Sequence, residues 1–242
     1  MKTITISIQK GGTGKSTTAV NLAAALTAQG NKVLLIDNDP QGTLTDYCNV
    51  KYDHTITDVY NGENVLTAVT PWIDNIDLIP SDILLTQTEQ DITPRGDRLT
   101  ILKQALSNMT AYDFCIIDTA PGLGLLTVNA LTAANKIIIP LEPTPAAVKS
   151  LRLFFDTLEN VKQITPELTY SVLWTFYDTR LKLHRAAIEA ANAAGITAYP
   201  VTISRNVRTA EAYGAHEPLQ VYDPSNRNNS AYKTIAEMEI TQ

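Results

Sequence analysis

Lys10-Gly11-Gly12-Thr13-Gly14-Lys15-Ser16-Thr17 is the stretch whose reading decides the fold. It meets the phosphate-loop pattern G-x-x-x-x-G-K-[ST] at Gly14, Lys15 and Ser16, but places Gln9 where the first glycine belongs and adds a lysine at position 10. Before it, residues 3–9 alternate and are rich in β-branched side chains, which predicts a strand. After it, residues 15–29 are rich in Ala and Leu and stop at Gly30, which predicts a helix. A glycine turn between strand and helix aims successive backbone N–H groups and the positive end of the helix dipole at one spot. That spot suits a polyphosphate. Gly11, Gly12 and Gly14 let the backbone approach phosphate oxygens, with Thr13 and Thr17 completing the loop. Lys15 reaches the β and γ oxygens, and the Ser16 hydroxyl takes a place on Mg²⁺.

Working outward, short apolar strands alternate with helical stretches. Strands are expected at 3–9, 32–37, 75–79, 112–118, 136–140, 169–176 and 198–203, and helices at 15–29, 96–108, 124–134, 145–161, 181–194 and 230–238. Val33-Leu34-Leu35-Ile36 and Phe114-Cys115-Ile116-Ile117 are continuous apolar runs, as a sheet covered on both faces requires. The expected fold is therefore α/β, a doubly wound, mainly parallel sheet with helices on both faces, here a P-loop NTPase in one domain spanning 1–242. Ligands of such sheets bind at the carboxyl ends of the strands. Two acidic motifs stand at such ends, Asp37-Asn38-Asp39-Pro40-Gln41 and Asp118-Thr119-Ala120-Pro121. Asp118 suits the role of accepting from Mg²⁺-bound water or from the loop hydroxyl. Asp37 and Asp39 also make a good turn, and only one of them need be catalytic.

Composition bounds the class. The 242 residues are 44% hydrophobic, enough for a substantial core, and the formal net charge is −6. Nucleic acid would then have to be met by a local basic patch. Cys48 and Cys115 are the only cysteines and no secretory leader precedes the first strand, which suggests a reducing cytoplasm. No apolar run approaches the roughly 20 residues of a membrane span.

Four motifs in order now carry a resemblance. The loop from Lys10 to Ser16, Asp37-Asn38-Asp39-Pro40-Gln41-Gly42, Asp118-Thr119-Ala120-Pro121, and Ile203-Ser204-Arg205-Asn206-Val207-Arg208-Thr209-Ala210-Glu211-Ala212 together resemble the ParA partition ATPases, of the deviant Walker A group. The stretches 124–131 and Val221-Tyr222-Asp223-Pro224 match as well, so the resemblance runs nearly end to end. It implies an ATPase that uses ATP and Mg²⁺ and forms a homodimer in which each subunit's Lys10 reaches the phosphates bound by the other. Lys10, Lys15 and Asp39 are then the catalytic residues, Asp39 positioning water; Ser16, Asp39 and Asp118 form the metal set; and Asn206 lies by the base. The resemblance further implies binding of DNA without sequence preference, with Arg180 matching a basic contact of the family. Lys182, His184, Arg185, Arg205 and Arg208 are further cations nearby. A ParB-like adaptor would stimulate hydrolysis, and the protein would be cytoplasmic and associated with the nucleoid.

The chain departs from the family at Ser204, usually proline, at Glu217, commonly lysine, and at Ala120 and Gly122, usually proline and serine. Other classes fit less well. A MinD-like protein would carry a basic amphipathic C-terminal helix for membranes, which Lys233-Thr234-Ile235-Ala236-Glu237-Met238-Glu239 does not supply, so no membrane partner is expected. A nitrogenase-type iron protein would need interface cysteines, and an amidotransferase would need a further nucleophilic domain. A sequence-specific repressor would need a DNA-reading domain before the loop. A ParA-like ATPase positioning a cargo other than DNA on the nucleoid is the alternative that remains.

Overall fold

In the computed structural model, which describes residues 1–241, eight strands form one sheet in the order β3-β4-β2-β5-β1-β6-β7-β8. The strands are β1 (Lys2–Ile6), β2 (Val33–Asn38), β3 (Thr70–Ile73), β4 (Ile76–Ile79), β5 (Phe114–Thr119), β6 (Lys136–Leu141), β7 (Thr169–Tyr177) and β8 (Ala198–Ser204). All neighbours pair in parallel except β3, which runs antiparallel to β4 at the edge. The first half of the chain contributes helices α1 (Lys15–Thr27), α2 (Thr43–Cys48), α3 (Ile56–Tyr60), α4 (Leu85–Ile92), α5 (Ile101–Leu106) and α6 (Leu125–Ala133). The second half contributes α7 (Pro145–Lys162), α8 (Lys182–Ala193), α9 (Val207–Gly214), α10 (Leu219–Tyr222) and α11 (Arg227–Thr241).

The apolar runs are continuous because successive side chains serve opposite layers. Val33 and Leu35 of β2 join Ile116 of β5 in a core with α1 and α11, while Leu34 and Ile36 join Cys115 and Ile117 against α3, α5 and α6. A third cluster packs β6 and β7 on α7 through Ile137, Ile139, Val172, Trp174 and Phe154. Each fully buried Leu or Ile contributes about 1.5–3 kcal/mol, so truncating Leu34 to Ala, which also leaves a cavity, costs about 2–5 kcal/mol. Buried threonines tie layers where apolar contact alone would let them slide: Thr5 Oγ1 on β1 donates to the Ala130 carbonyl of α6 at 2.8 Å.

The expected doubly wound sheet is present, with boundaries mostly within two residues of expectation. Several elements differ, among them the short helices α2, α3, α9 and α10, which lie outside the expected helices. The helix expected over 96–108 shrinks to α5, because residues 93–100 are turns held by Arg95, which grips Asp97 with two nitrogens and donates to the Tyr60 carbonyl at 3.0 Å. The edge strand β3 was not expected: four residues with a proline and an alternation of exposed and half-buried side chains become a strand only through pairing with β4. Helix α4 also goes unannounced, since its polar run Thr86-Gln87-Thr88-Glu89-Gln90 buries only Leu85, Thr88 and Ile92.

Candidate functional site

A cavity of about 420 Å³ opens at the carboxyl ends of β1, β2, β5 and β7. Its floor is the loop from Gly11 to Thr17, and Asp39, Gln41, Thr43, Thr119, Pro121, Phe176 and Tyr213 form its walls. Gly12 and Gly14 adopt left-handed backbone conformations, φ 68° and 91°, which a side chain would strain. Gly14 is also the N-cap of α1 and provides no side chain to satisfy the helix's first N–H groups, so these remain available to a ligand. The loop is anchored from behind, where Thr175 Oγ1 on β7 donates to the Thr13 carbonyl at 2.9 Å.

Inside the loop the charges are tightly arranged. Lys15 is only 8% exposed; burial lowers its pKa while Asp118 and Asp39 hold it up. Asp118 is buried at the end of β5, directly beside Ile6 of β1 and Asp37 of β2 in the ladder. Burial pushes its carboxyl up to about 8, Asp37 adds to the rise, and Ser16 and Lys15 oppose it. Asp118 Oδ1 and Thr13 Oγ1 are buried without a hydrogen-bond partner among the described residues. An orphaned carboxylate oxygen beside a hydroxyl and an uncapped helix start fits a hard divalent cation bound with a polyphosphate. Ser16 and Asp118 are the residues placed to hold it.

The two carboxylates after β2 separate in role. Asp37 accepts from both Thr45 N and Thr45 Oγ1 at 2.8 Å and from Asp39 N at 3.2 Å, so it fastens α2 to the sheet. Its burial raises its pKa to about 6. Asp39 instead lines the cavity, its Oδ1 accepting from Gln41 N at 2.9 Å.

Lys10 stands apart from the loop it precedes. It is exposed, makes no ion pair among the described residues, and faces a separate depression with Ala146, Ala147 and Ser150 at the start of α7. Asn206, the N-cap of α9, accepts from Arg208 N at 2.9 Å and lines a second cavity of about 330 Å³ that shares Gly14, Thr17 and Phe176 with the first. Arg180, Lys182 and Arg185 gather as exposed cations around the turn between β7 and α8. Arg208 lies elsewhere, on α9, its charge shared by Glu211 at 2.8 Å and Asp223 at 3.6 Å. His184 is not part of the exposed cluster: it is buried, and its Nδ1 accepts from Asp178 N at 3.1 Å.

Sequence reading missed Gln41, Thr43, Thr119, Pro121, Phe176 and Tyr213 as cavity residues. The rule that ligands sit at strand ends points to those next to Asp39, Asp118 and the end of β7. Tyr213 had no such signal, because only the fold carries α9 back over the loop; its ring meets Tyr47 edge-on at 4.9 Å.

The protein-family model for an AAA domain matches residues 1–170. The sporulation initiation inhibitor protein Soj of Bacillus subtilis is 37% identical, over 97% of this chain and 96% of that one. The chromosome partitioning protein ParA of Caulobacter vibrioides is 35% identical, over 100% and 95%. This chain belongs to the ParA/Soj family. Among solved structures, a cobyrinic acid a,c-diamide synthase from Mycobacterium smegmatis with bound ATP analog and magnesium superposes with a TM-score of 0.81 at 34% identity, covering 88% of this chain and 91% of that chain. ATPase activity on a P-loop fold comes with membership of the ParA/Soj family. Among the described residues, no helix is long and apolar enough to cross a membrane.

Proposed function

We propose that this chain is a Mg²⁺-dependent partition ATPase, a single domain over 1–242, whose site is completed by a second copy. The observation that carries the reading is the position of Lys10, an exposed cation beside the phosphate loop that does not line its own chain's cavity. In a two-fold dimer an exposed lysine at the rim of each cavity lies where it meets the partner's phosphates, and both sites then form together. The full-length match to Soj and ParA supports partition over the synthase activity for which the Mycobacterium smegmatis protein is named, a distinction the shared fold does not make by itself.

Each residue then has a task. The N–H groups of the loop and of the start of α1 hold the phosphate oxygens, and Lys15 neutralises the β and γ positions. Ser16 and Asp118 hold Mg²⁺, with Asp39 facing the same cavity. Mg²⁺, when bound, would supply neutralisation of the charge that the phosphates carry. Asp39 orients the attacking water from the cavity wall. Lys10 of the opposite subunit stabilises the charge of the phosphoryl group as it transfers, as an arginine finger does elsewhere. Asn206 sits by the base in the second cavity. The dimer presents Arg180, Lys182, Arg185 and Arg208 twice, which favours DNA without sequence preference and places the protein on the nucleoid in the cytoplasm. A ParB-like adaptor accelerates hydrolysis.

Sedimentation with and without a non-hydrolysable ATP analogue tests this reading. The wild-type mass doubles with the analogue and Mg²⁺, and Lys10→Ala stays monomeric. A Lys10→Ala protein that dimerised and turned over normally would contradict it.

A further inference from the structure

Phe176 is a strained residue at a junction. Its backbone is left-handed, φ 53°, although it is neither glycine nor a turn residue and lies within β7. Such a conformation persists only where its surroundings impose it, and here three do. Thr175 is tied to the Thr13 carbonyl, the Phe176 ring lies close against Gly14, and the Arg205 guanidinium covers the ring 5.0 Å from its centroid. The pairing of β7 with β8 shifts register on both sides of Trp174, between Val172 and Tyr177. The ring therefore walls off the phosphate cavity from the side cavity and faces both.

Two residues further on, Asp178 pairs with the exposed Arg180. The carboxylate accepts from Arg180 N at 2.9 Å, Nε at 3.0 Å and one terminal nitrogen at 2.7 Å. The same turn is braced by His184, which accepts from Asp178 N at 3.1 Å and faces Glu142 at 4.0 Å; Glu142 in turn faces Arg205 at 3.9 Å. A ring of contacts thus runs from the phosphate loop through Phe176 and Arg205 to the turn that holds Arg180.

We propose that the Asp178–Arg180 pair is an autoinhibitory contact, and that a purine nucleotide entering the side cavity against Phe176 releases it. The inference rests on the DNA-binding reading above and adds its control. A base seated in the side cavity competes with Arg205 for the face of Phe176 and removes one of the three constraints that keep the strained backbone. Relaxation at Phe176 re-aims Asp178 two residues along the chain and withdraws its carboxylate from Arg180. The pair is exposed on the Arg180 side, so a modest differential affinity is enough to shift it. Without nucleotide, Arg180 is neutralised and DNA phosphates are met by one cation fewer in each subunit.

Binding of random-sequence duplex DNA, measured by fluorescence anisotropy without nucleotide and with saturating non-hydrolysable ATP analogue, tests the control. Removing any negative charge near DNA strengthens binding in both states equally, so the informative quantity is the ratio of the two affinities. For Asp178→Asn that ratio falls about fivefold or more, because nucleotide-free binding, where the pair is closed, rises further than analogue-bound binding. Phe176→Gly, which accepts φ 53° without strain and lacks the ring, loses most of the gain in DNA affinity at analogue concentrations shown by fluorescence to saturate the variant. An unchanged ratio in Asp178→Asn, or a full gain in Phe176→Gly, overturns the proposal while Arg180→Glu still abolishes binding. Wild-type protein whose DNA binding ignores nucleotide overturns the DNA reading and this control together.

Discussion

Asp37 and Asp118 are direct neighbours across the β2–β5 ladder, two buried carboxyls at the foot of the phosphate loop. Burial raises both, Asp37 to about 6 and Asp118 to about 8, from an ordinary value of 3.8. Asp37 has its charge met by Thr45 and the Asp39 N–H, and Asp118 has only Ser16 and Lys15 to favour its ionised form. Asp118 leaves Oδ1 without a partner among the described residues.

A pH dependence follows from the direction of these shifts. Between about pH 4 and 8 the folded chain keeps a proton on Asp118 that the unfolded chain has released, so raising pH through this window costs stability. Asp37 acts in the same sense between about pH 4 and 6. The melting temperature of nucleotide-free protein therefore falls as pH rises from 5 to 8, and Mg²⁺ with ATP, which favours the ionised carboxylate, narrows the fall. Differential scanning calorimetry across that range checks both. A melting temperature that rises over the same interval refutes the assignment.

Asp118→Asn separates stability from activity. With no buried charge to ionise, the variant melts about 2–8 °C above wild type at pH 8, a gain of about 1–2 kcal/mol. Its Mg²⁺-dependent hydrolysis drops by about 10²-fold or more, since the metal loses its charged ligand. A destabilised variant with normal turnover would mean that Asp118 is a structural residue.

Thr175→Val removes the anchor beneath the loop while keeping the side chain's shape. Loss of the bond to the Thr13 carbonyl costs about 1 kcal/mol of loop order and weakens nucleotide binding about fivefold, with turnover at saturation unchanged. Titration calorimetry against steady-state turnover distinguishes this split from a general loss of folding.

Arg180→Glu acts on DNA alone. Affinity of the nucleotide-bound protein for random-sequence DNA falls, and the slope of log affinity against log salt becomes shallower by about 1 for each phosphate that is no longer neutralised. Dimerisation and the basal ATPase rate are unaffected. An unchanged slope would place the DNA surface elsewhere.

Much of this was legible because the signals are local. The glycine loop, the apolar runs of β2 and β5, and the acidic residues at their ends each declare themselves within ten residues, and the structure brings Lys15, Ser16 and Asp39 to one cavity with Asp118 buried next to Ser16 and Lys15. What was not legible depends on packing at a distance. Strand β3 exists because β4 offers it an edge, and Tyr213 reaches the cavity only because α9 folds back across α2. The strain at Phe176 is invisible in a sequence that reads there as ordinary strand, Leu173-Trp174-Thr175-Phe176-Tyr177. Asp37 and Asp39 looked alike in the motif, and only hydrogen bonding told the brace from the cavity residue.

Mixing two inactive variants tests most directly whether Lys10 completes the partner's site. Lys10→Ala lacks the lysine but keeps Asp39, and Asp39→Ala lacks the carboxylate but keeps Lys10. In a mixed dimer, the Lys10→Ala subunit has its own Asp39 and receives Lys10 from the other chain, so one site of the two is whole. The mixture therefore regains ATPase activity in proportion to the mixed dimers it contains, although each variant alone is inactive. A mixture as inactive as its components, with mixed dimers present by mass, would contradict the account and place Lys10 on its own chain's phosphates.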